Sequence, residues 1–306
     1  MIEVKNLVKK YGSLEVLKGI DFEIEKGSVF GFLGSNGAGK TTTMNILTGL
    51  IDYQKGQISF DGQQFDKNKR ELRLKIGYLT ENPVFYDYMN SYQYLQMIGE
   101  LSKYPQKEIS ERIEELLDLV GLDEKAAKRK IGGYSRGMRQ RLGLAVALFN
   151  HPEYLFLDEP TSALDPEGRK DMLNLLEELK KLDITVFLST HILADVEKVC
   201  DKVSILDEGR IKLTRKMEEL REEFIQPIFD IELEGDGEQF KERLSKEDWV
   251  EQIEEDDYQI SVYVSDLSVG KENLPAIIGE LGLSLKKYQI RQSTLEDIFI
   301  RMVNKK

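Results

Sequence analysis

At 306 residues, with one cysteine and a formal net charge of −12, the chain is long enough for about two domains and at least one substantial core. Its acidic balance argues against a nucleic-acid partner, which needs a basic surface to neutralise phosphates, and a single cysteine, Cys200, excludes an intrachain disulfide framework. Apolar runs at 41–51 and 142–150 fall well short of the roughly 18 residues that a spanning helix requires, so a membrane role has to be borrowed from another chain.

The start, Met1-Ile2-Glu3-Val4-Lys5, lacks the apolar run and small-residue cleavage site of a secretory signal, which sets a cytosolic expectation. Short β-rich runs then alternate with longer helical patterns, as in an α/β sheet domain. The first runs are 20–24 and 29–33, and the second is nearly all apolar, as a parallel strand buried on both faces must be.

Gly34-Ser35-Asn36-Gly37-Ala38-Gly39-Lys40-Thr41-Thr42 follows that strand, opens a helical run at 41–50 and fits the G-x-x-x-x-G-K-[ST] phosphate loop. Glycines at 34, 37 and 39 let the backbone curl, so that consecutive amides point inward at phosphate oxygens while the helix N-terminus adds positive potential. Lys40 is expected to reach the β and γ phosphates of a nucleotide. Thr41 supplies a hydroxyl to Mg²⁺, and Thr42 donates to a phosphate oxygen one step along the helix.

From about 82 to 150 the pattern turns helical, with apolar residues at Ile109, Ile113, Leu116, Leu117 and Val120 on one face, and reads as a helical insert. A second buried strand, 154–157, then delivers adjacent carboxylates, Asp158 and Glu159, at its C-terminal edge, where parallel sheets bind ligands. Asp158 is expected to hold Mg²⁺, and Glu159 to polarise the water that attacks the γ-phosphate. Pro166 reads as the first position of a helix over 167–180, and a third buried strand, 184–188, runs out at His191. The other histidine, His151, precedes Pro152 and reads as structural.

Beyond Leu220 the composition shifts: residues 221–306 carry about −9 of the net charge. Strand and helix patterns there predict a small βαββαβ unit with a further helix at 294–303, and Pro227 marks a plausible hinge.

Over residues 1–220 these motifs, in this order, resemble an ATP-binding-cassette ATPase, the nucleotide-binding subunit of a membrane transporter. The resemblance implies a P-loop NTPase cassette with a mixed sheet and a helical subdomain, here followed by a small acidic C-terminal α+β domain at 221–306. It also implies ATP and Mg²⁺ as ligands. In that family a short signature helix presses on the γ-phosphate held by the opposite subunit; the matching stretch here is Tyr134-Ser135-Arg136-Gly137-Met138, with Ser135 and Gly137 equipped to bind an anion. His191 resembles the switch histidine that contacts the γ-phosphate, and Tyr11 the aromatic that stacks on adenine.

Three positions depart from the usual pattern: Glu81 stands where a metal-touching glutamine is common, Arg136 replaces the first signature glycine, and Met138 replaces a glutamine. Arg136 either helps to neutralise phosphate or points away. The implied assembly is a head-to-tail pair with a second copy or another such subunit, bound at residues 81–94 by a separate membrane permease and so held at the inner face of the membrane. Ser293-Thr294-Leu295-Glu296-Asp297-Ile298-Phe299 is similar to the closing segment of drug, antibiotic and sodium export subunits, in which Glu81 also occurs, so export is the expected direction. Two rival readings stay open here: a soluble cassette ATPase that drives no transport, and a regulatory module that holds ATP without turnover.

Overall fold

The computed structural model describes residues 1–65, 70–162, 164–223, 225–234, 237–256 and 259–292. The chain divides into two compact units, Met1–Met217 and Glu218–Lys306.

The first unit begins with β1 (Ile2–Tyr11), β2 (Leu14–Ile24), β3 (Val29–Leu33), α1 (Lys40–Leu47), β4 (Lys55–Phe60), β5 (Gln63–Gln64), α2 (Arg70–Leu74) and β6 (Ile76–Leu79). A helical stretch follows: α3 (Ser91–Ser102), α4 (Ile109–Leu119), α5 (Glu124–Lys128) and α6 (Arg136–Leu148). The chain returns through β7 (Tyr154–Asp158), α7 (Pro166–Lys180), β8 (Thr185–Thr190), α8 (Leu193–Val199), β9 (Lys202–Asp207) and β10 (Arg210–Lys216).

Two sheets result. The larger has the order β10-β9-β3-β8-β7-β6, parallel except for the antiparallel β10, which makes it the expected mixed sheet. Every residue of β3, β7 and β8 is buried, as their apolar runs predict. The smaller sheet is antiparallel, in the order β2-β1-β4-β5. Phe22 of β2 packs its ring 5.4–5.9 Å from Phe30, Phe32 and Phe187 of the larger sheet, an aromatic cluster that holds the strand feeding the phosphate loop.

Local signals set the helix ends near the site. Ser135 caps α6 by accepting from Met138 N at 3.2 Å, and Asp165 caps α7, with Pro166 in its first turn, by accepting from Gly168 N at 2.9 Å. Cys200 is buried, and burial pushes its thiol far above the ordinary range, so it is an inert core residue.

After α9 (Met217–Glu223), the second unit runs β11 (Ile225–Leu233), α10 (Glu238–Leu244), β12 (Val250–Asp256), β13 (Gln259–Val264), α11 (Leu267–Glu280) and β14 (Leu285–Gln292). Its antiparallel sheet has the order β12-β13-β11-β14, and Phe229, Phe240, Val262 and Leu274 are fully buried in its core. Pro227 lies inside β11 rather than in a hinge loop: its missing N–H is tolerated where the β11–β14 register shifts, between Ile225 and Phe229. The helix expected at 294–303 and the segment 293–299 lie outside the described residues.

Candidate active site

The phosphate loop is built by close approach. At Gly34 a Cβ would stand 2.5 Å from the Leu206 carbonyl oxygen, and Gly39 enters α1 at φ 114°, where a Cβ would meet Leu17 at 2.7 Å. Gly37 has φ 85° with open space beside it, so this part of the turn faces outward, next to the exposed Ser35 and Asn36. Ala38 is buried and donates its N–H to Ser35 O at 3.2 Å, closing the turn. Lys40 is only 6% exposed, and its ammonium folds back onto the carbonyls of Gly34 (2.7 Å) and Ser35 (3.3 Å). Thr41 is exposed and Thr42 half-buried.

The ends of β7 and β8 face this loop. Asp158 is buried, and one of its carboxylate oxygens accepts from the Ser189 hydroxyl. Glu159 sits just past β7 at φ 48°, a left-handed conformation uncommon outside glycine, and its N–H donates to Ser189 O at 3.0 Å. That conformation divides its carboxylate between two partners. Oε2 lies 2.9 Å from Nδ1 of the half-exposed His191, while Oε1 lies 3.4 Å from Lys40 Nζ and is buried without a hydrogen-bond partner.

Asn36, Gly37, Gly39, Lys40, Thr41 and Thr42 line a cavity of about 460 Å³ together with Glu81, Glu159 and His191. Residues from four separate stretches of sequence thus converge on one space. Val16 and Ser162 line it too, and no motif marked either. Ser162 was within reach of a local reading, because its hydroxyl donates to the Glu159 carbonyl at 3.1 Å. Seven expected residues are not in that lining: Gly34, Ser35, Ala38, Asp158, Tyr11, Ser135 and Gly137. Tyr11 is 49% exposed at the end of β1, with the Lys9 ammonium 4.7 Å from its ring centre, and Ser135 and Gly137 stand at the N-terminus of α6.

The departures from the family signature have partners. Arg136 donates to Asn82 Oδ1 at 3.2 Å, so it turns toward its own chain, and Met138 Sδ accepts from Arg129 at 3.0 Å. The Glu81 carbonyl accepts from the buried Gln140 side chain at 2.7 Å. Beyond Glu81, Val84, Tyr86 and Tyr88 are 86%, 52% and 67% exposed, with Tyr86 stacked on Tyr88 at 5.7 Å. His151 keeps company with Tyr104, whose hydroxyl is 3.0 Å from Nε2.

What can occupy this cavity follows from its charges. Lys40 holds loop carbonyls that a phosphate oxygen can replace, and the Glu159 oxygen without a hydrogen-bond partner can take a water proton. With Glu81 and Glu159 against Lys40, the lining favours a polyanion that brings a hard divalent cation, and hydroxyl and carboxylate oxygens suit Mg²⁺. A turn that wraps phosphates beside a carboxylate able to activate water belongs to a P-loop nucleoside triphosphatase.

Comparison with known proteins narrows the class. A family description, ABC transporter, matches residues 17–162, and a second, ATP-binding protein DrrA1-3-like, C-terminal domain, matches residues 216–303. The chain is 37% identical to the uncharacterized ABC transporter ATP-binding protein YxlF of Bacillus subtilis (strain 168), over 99% of this chain and 100% of that one. It is 34% identical to the bacitracin transport ATP-binding protein BcrA of Bacillus licheniformis, over 99% and 97% of the two chains. A solved structure, the dimeric post-hydrolysis state of the ATP-binding cassette MJ0796 bound to ADP and Pi, matches with a TM-score of 0.65 at 25% identity, over 71% of this chain and 99% of that one. The chain belongs to the ABC transporter ATP-binding proteins, and it binds and hydrolyses ATP.

Proposed function

We propose that the chain powers export through a separate membrane-spanning permease, working as a head-to-tail pair with a second copy or a similar subunit. Residues 1–220 act as the ATPase domain, with the helical part at 82–150, and residues 221–306 as an accessory domain. No helix among the described residues is long and apolar enough to cross a membrane. In this reading the permease holds the chain at the inner face of the cell membrane. The docking surface is the stretch 81–94, where exposed Val84, Tyr86 and Tyr88 flank Glu81. Export is supported by the likeness of Glu81 and segment 293–299 to export-type subunits, and by the similarity to a bacitracin transport protein.

The observation that carries this reading is the Glu159 carboxylate, held between Lys40 and His191 on a cavity lined by the phosphate loop. Tyr11 stacks on adenine, while backbone groups from Gly34 to Gly39 cradle the phosphates. Lys40 exchanges its bonds to Gly34 and Ser35 for the β and γ phosphates, and Thr42 donates to a phosphate oxygen. Thr41, Asp158 and Glu81 would hold Mg²⁺, which would draw charge from the phosphate oxygens. Glu159 takes a proton from water as the water oxygen bonds to the γ-phosphorus and the bond to the bridging oxygen breaks, leaving ADP and phosphate. His191 steadies the γ-phosphate and keeps Glu159 aimed. Ser135 and Gly137 of one copy close on the γ-phosphate of the other, so hydrolysis removes a contact that favours the closed pair.

Inside-out membrane vesicles containing the chain and its permease test the direction. ATP-driven accumulation of a peptide antibiotic, lost with Glu159→Gln, supports export. Accumulation only in right-side-out vesicles, or none in either, contradicts it.

A further inference from the structure

Helix α6 is fastened to the Glu81 segment along one stripe. Arg136, Gln140 and Gly143 follow one another at i, i+4 and i+7, which places them on a single helix face. Arg136 donates to Asn82 Oδ1 at 3.2 Å, and Gln140 donates to the Glu81 carbonyl at 2.7 Å. At Gly143 an added Cβ would stand 2.6 Å from Leu79 and 3.4 Å from Pro83, so helix and segment touch without a gap. Beside that stripe, Arg139 pairs with Asp87 at 2.8 Å. Glu81 lines the nucleotide cavity of its own chain, whereas Ser135 and Gly137 stand at the N-terminus of α6, outside that cavity.

We propose that Arg136 is a positioning residue that latches the Glu81 segment to the N-terminus of α6, so that each chain's own nucleotide sets how α6 meets its partner's nucleotide. The inference rests on the shared-site dimer proposed above. A 13-residue helix is a rod about 20 Å long, and a rod held at several points along one face moves as a body. Of those points, Arg136 lies in the first turn, beside Ser135, where a small displacement of the Glu81 segment is delivered to the γ-phosphate contact. Gly137 adds no side chain at that end, while the exposed guanidinium turns to Asn82 along the surface.

The test is ATP-driven dimerisation of the full chain, followed by light scattering in a Glu159→Gln background. Arg136→Met and Asn82→Ala each raise the ATP concentration for half-maximal dimer roughly three- to tenfold, the effect of losing one hydrogen bond. Both together raise it no more than the larger single change, because they break the same bond. Asn82→Asp, which keeps the acceptor and adds charge, leaves the midpoint at or below the starting value. If the two shifts multiply, or Arg136→Met acts while Asn82→Ala does not, Arg136 works outward on the partner's nucleotide and the latch is refuted with the dimer intact. If Glu159→Gln alone stays monomeric in ATP, the shared site falls first and the latch with it.

Discussion

His191 Nδ1 lies 2.9 Å from Glu159 Oε2, joining the chain beyond β8 to the chain beyond β7. His191 is half exposed and Glu159 is buried, so the histidine forms the solvent side of the pair.

Replacing His191 with alanine therefore removes a partner of Glu159, the proposed base, and the proposed phosphate contact, while leaving the phosphate loop intact. ATP turnover falls by about a hundredfold, the lower range for a positioned acid–base group, and ATP binding changes by less than about threefold. Steady-state turnover and equilibrium nucleotide binding check the two parts separately.

Lys40 and Glu159 are 6% and 8% exposed in side-chain area, so deleting one charge strands the other in a poorly solvated place. Lys40→Met lowers the stability of the nucleotide-free chain by about 3 kcal/mol, the low end for a broken buried pair because His191 still contacts Glu159. It also weakens ATP binding at least about tenfold, the cost of one charge-assisted contact. Adding Glu159→Gln restores most of the stability and none of the binding. Urea unfolding and nucleotide titration distinguish the two effects.

His151 gives a pH dependence of known sign. Burial, helped by the Arg112 charge, holds its imidazole below the ordinary value of 6.5. The unfolded chain then binds the proton more tightly than the folded one. The stabilisation is present above about pH 6.5 and is lost as pH falls through the lower folded value. His151→Asn, which suits the local φ of 48°, flattens that part of the stability profile. Chemical unfolding between pH 7 and pH 5 compares the two chains.

The phosphate loop was legible because its signal is contiguous, with an all-apolar strand before it and a helix after it. Asp158 and Glu159 were legible for the same reason. β1 was not marked: its alternation breaks at Asn6, where φ is 48° and the register with β2 shifts between Val4 and Leu7. β6 spans only Ile76–Leu79, too short to stand out from the helical pattern around it. Val16 reaches the cavity by a contact distant in sequence: Lys18 N donates to Gly209 O at 2.9 Å, and a Cβ on Gly209 would stand 2.2 Å from the Val16 carbonyl oxygen. Nor does any residue pattern announce the left-handed backbone that turns Glu159 between Lys40 and His191.

Glu159→Gln tests the central role most directly, because it keeps the shape of the side chain and removes the group that accepts the water proton. Purified full chain with this change should bind ATP, accumulate as an ATP-bound dimer and turn over at least about a hundredfold more slowly than the unaltered chain. Unchanged turnover would contradict the role assigned to Glu159, and loss of ATP binding would show that the residue builds the site rather than acting in it.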